Sequence, residues 1–279
     1  MESGLYVVAT PIGNLGDITA RALDVLAAAD LVAAEDTRHT ARLLQHFSIT
    51  TSLLAYHEHS DDRAQARILA CLADGGTVAL VSDAGTPLIS DPGYRLVRDV
   101  QEAGYRVIPL PGPCAAIAAL SASGLPTDRF LFEGFLPAKA GARLRRLQDL
   151  ASESATLVFY EAPHRVVETL QAMLETFGAQ REALLARELS KTFETLKRAP
   201  LAELAGFVAG DSNQQRGEIV LAVAGQRRRD DSLSPDTQKL LLRLAQELPA
   251  KRATTLVAEL TGLRKKQLYD FLLEQRQST

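Results

Sequence analysis

The sequence predicts an α/β fold followed by a small helical segment. Three observations carry this. Short apolar runs recur at residues 5–9, 31–34, 77–81 and 105–110, each the length of a buried strand. The intervals between them are long enough for helices, which implies parallel pairing. Three loops at strand ends, 10–14, 82–93 and 111–113, are rich in Gly and Pro. In open α/β sheets the crevice beyond the carboxyl ends of the strands is the usual ligand site.

Each element has a local reason. Leu5-Tyr6-Val7-Val8-Ala9 ends at Thr10-Pro11-Ile12-Gly13, a strand entering a tight turn. Asp17 or Thr19 caps the next helix, whose apolar stripe is Ala22, Leu23, Leu26 and Ala29. The strand at 31–34 meets a polar turn, Glu35-Asp36-Thr37-Arg38. The strand at 77–81 enters the 82–93 loop, and that at 105–110 ends in Pro111-Gly112-Pro113. Small residues over 115–123 then read as a tightly packed helix. A second set begins near Phe130, with strands at 155–160, 183–187 and 218–224, a helix over 165–177 and a polar turn at 211–217. Boundaries near 124–130 and within 227–235 divide the chain into α/β domains at 1–124 and 125–226 and a helical domain at 235–279. The last holds helical patterns at 236–247, 251–260 and 264–275. Gly262 separates the final two, with the spacing of a helix-turn-helix.

Composition sets the class. With 279 residues, 46% of them hydrophobic and 23% charged, the chain builds its core without disulfides or a structural metal. Cys71 and Cys114 make no framework and read as buried thiols in a reducing compartment. The start has no basic stretch leading into an apolar one, and no apolar run reaches about 18 residues. The reading is a soluble, cytoplasmic protein with no membrane partner. The net charge of −3 is uneven: residues 225–279 hold eleven basic and seven acidic side chains. A basic tail on an acidic body fits a nucleic-acid partner or a solvated helical face.

Several clusters offer chemistry. Ser82-Asp83-Ala84-Gly85-Thr86-Pro87-Leu88-Ile89-Ser90-Asp91-Pro92-Gly93 suits a loop that lets backbone approach a ligand, or an elaborate turn. No G-x-G-x-x-G or G-x-x-x-x-G-K-[ST] occurs, which counts against dinucleotide and P-loop sites. Glu161, His164 and Arg165 sit together at a strand end. Glu188, Lys191 and Glu194 would share a face if their segment is helical. Both groups also read as surface salt-bridge clusters. His57-Glu58-His59 lacks the further ligands of a metal site, so none is expected. Lys139, Arg143, Arg145 and Arg146 form a basic run suited to phosphate or to a solvated helix start.

Taken in order, these motifs resemble the tetrapyrrole methylase superfamily, and within it the branch that acts on small-subunit ribosomal RNA. The resemblance rests on residues 9–18, 34–38, 82–93, 111–113, 132–137, 159–165, 187–191 and 216–220. The family's G-D-P loop stands here as Gly85-Thr86-Pro87, its P-G-P-S ends in Cys114, and its E-L-T-K is Glu188-Leu189-Ser190-Lys191. The resemblance implies two α/β domains with S-adenosylmethionine in the cleft between them, a homodimer, and 2′-O-methylation of a cytidine ribose in the decoding region of 16S rRNA on the 30S subunit. It implies donor contacts at Pro11, Ser82, Asp83, Gly85, Thr86, Pro87, Ile89, Ser90, Pro111, Glu161, Ala162, Gly217, Glu218 and Ile219. Lys191, held near Glu188, is expected to orient or deprotonate the hydroxyl, with His164 as a further catalytic candidate. Lys139, Arg143, Arg145, Arg146, Arg264, Lys265 and Lys266 are the expected RNA contacts. A small-molecule methylase of the tetrapyrrole type, needing neither basic segment, is the alternative; a non-catalytic RNA-binding protein is a third reading.

Overall fold

The structure, a computed structural model, describes residues 1–57, 62–226 and 233–277. Glu58 and His59, and most of the 227–235 boundary, lie outside the described residues. The first sheet contains β1 (Gly4–Val8), β2 (Leu31–Ala34), β3 (Leu53–Ala55), β4 (Thr77–Val81) and β5 (Val107–Leu110). They are all parallel, in the order β3-β2-β4-β1-β5. Helices α1 (Ala20–Ala28), α2 (Thr37–His46), α3 (Asp62–Ala73) and α4 (Tyr94–Glu102) connect them. Both faces are covered: Tyr6, Val8 and Val81 pack with Leu26 and Leu44, while Leu5, Val78 and Leu80 pack with Ile68 and Leu96. That explains strands apolar at every position rather than alternating. Thr19, not Asp17, caps α1, its side chain accepting from the Ala22 N–H.

The strand order matters for function. β4, β1 and β5 are neighbours, so the loops that follow them emerge side by side. Thr10 and Gly85 exchange two backbone hydrogen bonds, N–H to O at 2.9 and 3.0 Å. Thr10 Oγ1 donates to the Ser82 carbonyl at 3.2 Å. Thr86 Oγ1 donates to the Pro113 carbonyl at 2.8 Å. The three Gly/Pro-rich loops are thereby tied into one surface.

The next helix, α5 (Ala115–Ser121), belongs by packing to the second sheet. Ala116, Ala119 and Leu120 contact Val158, Leu184 and Val220. The packing boundary therefore falls just after β5, not near 124–130. The second sheet comprises β6 (Phe130–Phe135), β7 (Thr156–Glu161), β8 (Glu182–Arg187), β9 (Thr195–Pro200) and β10 (Ile219–Val223), in the order β6-β7-β10-β8-β9. Only β6 and β7 pair in parallel. The other pairs are antiparallel, so the second sheet is mixed where the first is all parallel. For β8 and β9 the reason is visible at 188–194, a seven-residue turn too short for a crossover. Helices α6 (Ala140–Leu150), α7 (Val166–Phe177) and α8 (Leu201–Gly210) cover the face opposite α5, around Phe159, Leu170 and Leu204. Cys71 and Cys114 are free and half-buried rather than fully buried.

Residues 226–279 form a separate unit. Its helices α9 (Pro235–Glu247), α10 (Ala250–Thr261) and α11 (Lys265–Gln277) enclose Leu241, Ala253, Val257, Leu268 and Leu272. Gly262 ends α10 in the left-handed region, with φ of 72°. No helix among the described residues is long and apolar enough to cross a membrane.

Thr86→Val keeps side-chain volume but removes the donor to Pro113. Urea unfolding should show a loss of about 1 kcal/mol at unchanged m, the worth of one hydrogen bond with its acceptor left behind. A wild-type midpoint would show that the latch contributes nothing to the fold.

Candidate functional site

A cleft of about 420 Å³ opens between the two lobes of residues 1–225, within the range that holds nucleoside-sized ligands. Its floor is apolar, from Ile12, Ile89, Leu189 and Ile219, and its first-lobe wall carries Glu35, Asp83 and Asp91. Burial, then the charges of Asp91 and Asp83, push the Glu35 carboxyl above its ordinary value. Burial also raises Asp91, partly offset by a hydrogen bond from Ser82. His57 opposes this only as the smallest of the influences on Glu35, so the crowded carboxylates form an arrangement that a positively charged ligand would relieve.

A second cleft of about 440 Å³ adjoins the first. The two share Ile12, Asp83, Ala84 and Glu218 as a common wall. The second is also lined by Lys191 and by His39, Arg42 and His46 of α2. It is the basic cleft relative to the first, although the carboxylates Asp83 and Glu218 border it too.

Lys191 is held tightly. Its Nζ donates to Glu188 Oε1 at 2.8 Å and to Glu218 Oε2 at 3.2 Å. Glu188 Oε1 also accepts from the Glu218 N–H at 2.9 Å. Two glycines make room. A Cβ on Gly13 would overlap the Lys191 side-chain carbons, and one on Gly217 would overlap the Glu188 carboxylate. Glu188 and Ser190 have φ of 51° and 67°, so 188–194 is a strained turn and not a helix. The Lys191–Glu188 contact expected from helical spacing forms across this turn, while Glu194 instead accepts from the Ser190 N–H at 2.7 Å. Ser190 Oγ and Asp17 also hydrogen-bond, joining the lobes. Burial lowers the Lys191 pKa, but Glu188 and Glu218 outweigh it and hold the ammonium above its ordinary value. Glu188 is held below its own, as the bonds from Lys191 and the Glu218 N–H exceed its burial cost. A lysine held in this state carries its charge, which suits orienting a hydroxyl and stabilising charge rather than taking up a proton.

The expected donor contacts divide. Asp83, Gly85, Ile89, Ser90, Glu161, Ala162, Gly217, Glu218 and Ile219 line the acidic cleft. Pro11 lines the basic one. Ser82, Thr86, Pro87 and Pro111 line neither; Ser82 is buried and Thr86 serves the latch. Glu161 faces inward: Oε1 accepts from the Ala162 N–H at 2.8 Å and Oε2 from Thr169 Oγ1 at 2.5 Å, so it shapes the strand end. His164 is exposed and lines neither cleft, which removes the ground for its catalytic role. Arg143 is buried on α6 and paired with Glu168 at 2.9 Å, since its helical position turns it inward with Leu147 and Leu150. Arg146 is paired with Glu133 through both its Nε and Nη2, the latter at 2.8 Å. Lys139 and Arg145 remain exposed, as do Arg264, Lys265 and Lys266 on the C-terminal unit. Glu35, Asp91 and the α2 face were missed by sequence reasoning. Glu35 and Asp91 had a signal, since each lies within a motif at a strand end.

The tetrapyrrole (corrin/porphyrin) methylase model matches residues 4–205. The chain belongs to the tetrapyrrole methylase family. The RsmI C-terminal HTH domain matches residues 231–276. Ribosomal RNA small subunit methyltransferase I of Pseudomonas aeruginosa is 58% identical, covering 99% of this chain and 99% of its own. The protein of the same name in Vibrio cholerae is 55% identical, covering 97% of this chain and 94% of its own. A uroporphyrin-III C-methyl transferase from Thermus thermophilus, solved with S-adenyl homocysteine, shares the fold at 19% identity. Its TM-score is 0.53 over 79% of this chain and 97% of its own. The family and the helix-turn-helix unit expected from the motifs are thus in place.

Glu188→Gln keeps the shape of the Lys191 pocket but removes a charge. The Lys191 titration midpoint, followed by NMR of 13Cε-labelled lysine, should fall relative to wild type. An unmoved midpoint would mean that Glu188 does not hold the ammonium.

Proposed function

We propose that this protein transfers a methyl group from S-adenosylmethionine to the 2′-hydroxyl of a cytidine in the decoding region of 16S rRNA, acting in the cytoplasm as a homodimer on the 30S subunit. One observation carries the reading: an acid-lined cleft fit for a cationic donor shares a wall with a basic cleft fit for an anionic acceptor. The names of the relatives at 58% and 55% identity support small-subunit ribosomal RNA as the acceptor. The motif resemblance supports the finer choice of nucleotide, position and assembly.

The donor supplies an electrophilic methyl carried on a sulfonium, so no metal is required. The protein's part is alignment and charge stabilisation. Glu35, Asp83 and Asp91 face the positive charge, and Ile12, Leu189 and Ile219 exclude water around it. Lys191, fixed by Glu188, points its remaining donor capacity at the attacking oxygen and stabilises charge that develops there. Glu218, the exposed carboxylate of the shared wall, is the group placed to receive the hydroxyl proton. Lys139, Arg145, Arg264, Lys265 and Lys266 supply further phosphate contacts to the RNA.

Tritiated donor assays with 30S subunits, bare 16S rRNA and tetrapyrrole precursors test the acceptor. Label at a ribose 2′-O in 30S subunits is the expected result; label only in a small molecule would overturn it. The donor cleft has its own signature. As pH falls through the raised midpoints of Glu35 and Asp91, their charges are lost. S-adenosylmethionine affinity measured by calorimetry should then weaken, towards about tenfold per pH unit for one essential carboxylate, and S-adenosylhomocysteine, with its neutral sulfur, should be affected less.

A further inference from the structure

We propose that His39, Arg42 and His46 form a phosphate-binding wall that fixes the RNA backbone beside the reacting ribose. This rests on the reading of the basic cleft as the acceptor side. It goes further by assigning phosphate contact to α2, a helix that none of the basic segments picked out in the sequence includes.

The argument begins with spacing. Residues 39, 42 and 46 are separated by three and four positions, so they rise along one face of α2. Thr40 and Leu44 are buried on the other side of the helix, Leu44 against the first sheet, which fixes which way the polar face looks. All three polar residues are exposed, and all three line the cleft that also contains Lys191. The helix places them there because β2 ends beside β4, and Asp36 caps α2 directly after that strand end.

Partners decide which cations are free to bind. Arg38 is spent locally: its Nη2 donates to Asp36 Oδ2 at 2.8 Å, and its Nε donates to Oδ1 at 3.2 Å. Among the described residues Arg42 has no carboxylate partner, although it stands one helical turn away. Two carboxylates do border this cleft. Glu218 is engaged by Lys191, and Asp83 Oδ1 accepts from the Asp36 N–H at 3.0 Å. Both belong to the wall shared with the acidic cleft, so the side formed by α2 presents cationic and neutral donors only. A guanidinium flanked by two imidazoles offers a planar fork plus two single N–H donors. That set suits the non-bridging oxygens of a phosphodiester.

A ribose whose 2′-hydroxyl reaches Lys191 carries its own 3′-phosphate a few bonds away. A phosphate held by Arg42 would therefore set the register of the strand, and the methyl would be delivered to one sugar only. Such a contact is made equally before and during transfer. Its loss should raise KM and leave kcat at saturation unchanged.

The test compares wild type with Arg42→Gln, Arg42→Lys and His39→Gln/His46→Gln. Donor affinity by calorimetry and the unfolding midpoint establish that each variant is folded and loaded. With 30S subunits and saturating donor, Arg42→Gln should raise KM about tenfold at constant kcat, and Arg42→Lys should recover part of that loss. The dependence of log K for 16S rRNA on log salt, from fluorescence binding, should become shallower by about 0.7 for Arg42→Gln, the share of one single-stranded phosphate. The double histidine variant should weaken binding with little change in slope. Unchanged KM and salt slope in Arg42→Gln would overturn the proposal while methylation of 30S subunits by wild type still stood. Absence of transfer to rRNA by wild type would instead overturn the parent reading. In that case the direct RNA-binding arm still judges α2: a wild-type slope in Arg42→Gln rejects the wall.

Discussion

The site depends on a pair of backbone hydrogen bonds between Thr10 and Gly85. Loops rich in Gly and Pro have no ladder to hold them, and each would otherwise sample many shapes. Here the strand order sets three such loops side by side, and the Thr10–Gly85 exchange joins the first two. The Thr86–Pro113 bond adds the third. Once the loops act as one surface, Ile12, Asp83 and Ala84 stand at a fixed place and can serve two clefts at once. Left-handed φ values at Leu88 and Ser90 show that the 82–93 loop is kept in a conformation that non-glycine residues seldom adopt. Such strain persists only where surrounding contacts over-determine the chain.

Charge is divided across that surface. Glu35 and Asp91 stand on one side of the shared wall, Lys191 and Arg42 on the other, and Asp83 and Glu218 border both. For a group transfer between a cation and a polyanion this separation is functional. It favours each reactant on its own side and disfavours it on the other. The Glu188–Lys191–Glu218 chain lies where the two sides meet, which keeps the lysine charged and aimed. The second lobe contributes this chain through a turn that only Gly13 and Gly217 leave room for.

Much of this was legible in the residues, and the parts that were not have physical reasons. The parallel sheet could be read because its strands are buried on both faces and so apolar throughout. β9 could not: it is an edge strand bearing Lys197 and Arg198, charges that blunt an edge and hide the strand pattern. β3, at three residues, is too short for any periodicity. The small-residue helix α5 was recognised but placed with the wrong sheet, because its tight packing is blind to which partner it meets. Lys191 and Glu188 were found from their motif, although through a helix that is in fact a turn. His164 and Arg143 misled because adjacency in sequence does not say which side of a helix a residue takes. Glu35 and Asp91 were passed over because a single acid signals nothing until the fold brings three together.

The most direct measurement is a crystal structure of the protein with S-adenosylhomocysteine. The account predicts the nucleoside in the cleft lined by Ile12, Glu35 and Ile219, with its sulfur at the shared wall and facing Lys191. Binding of the product in the basic cleft beside α2, or with its sulfur turned away from Glu218 and Lys191, would contradict it.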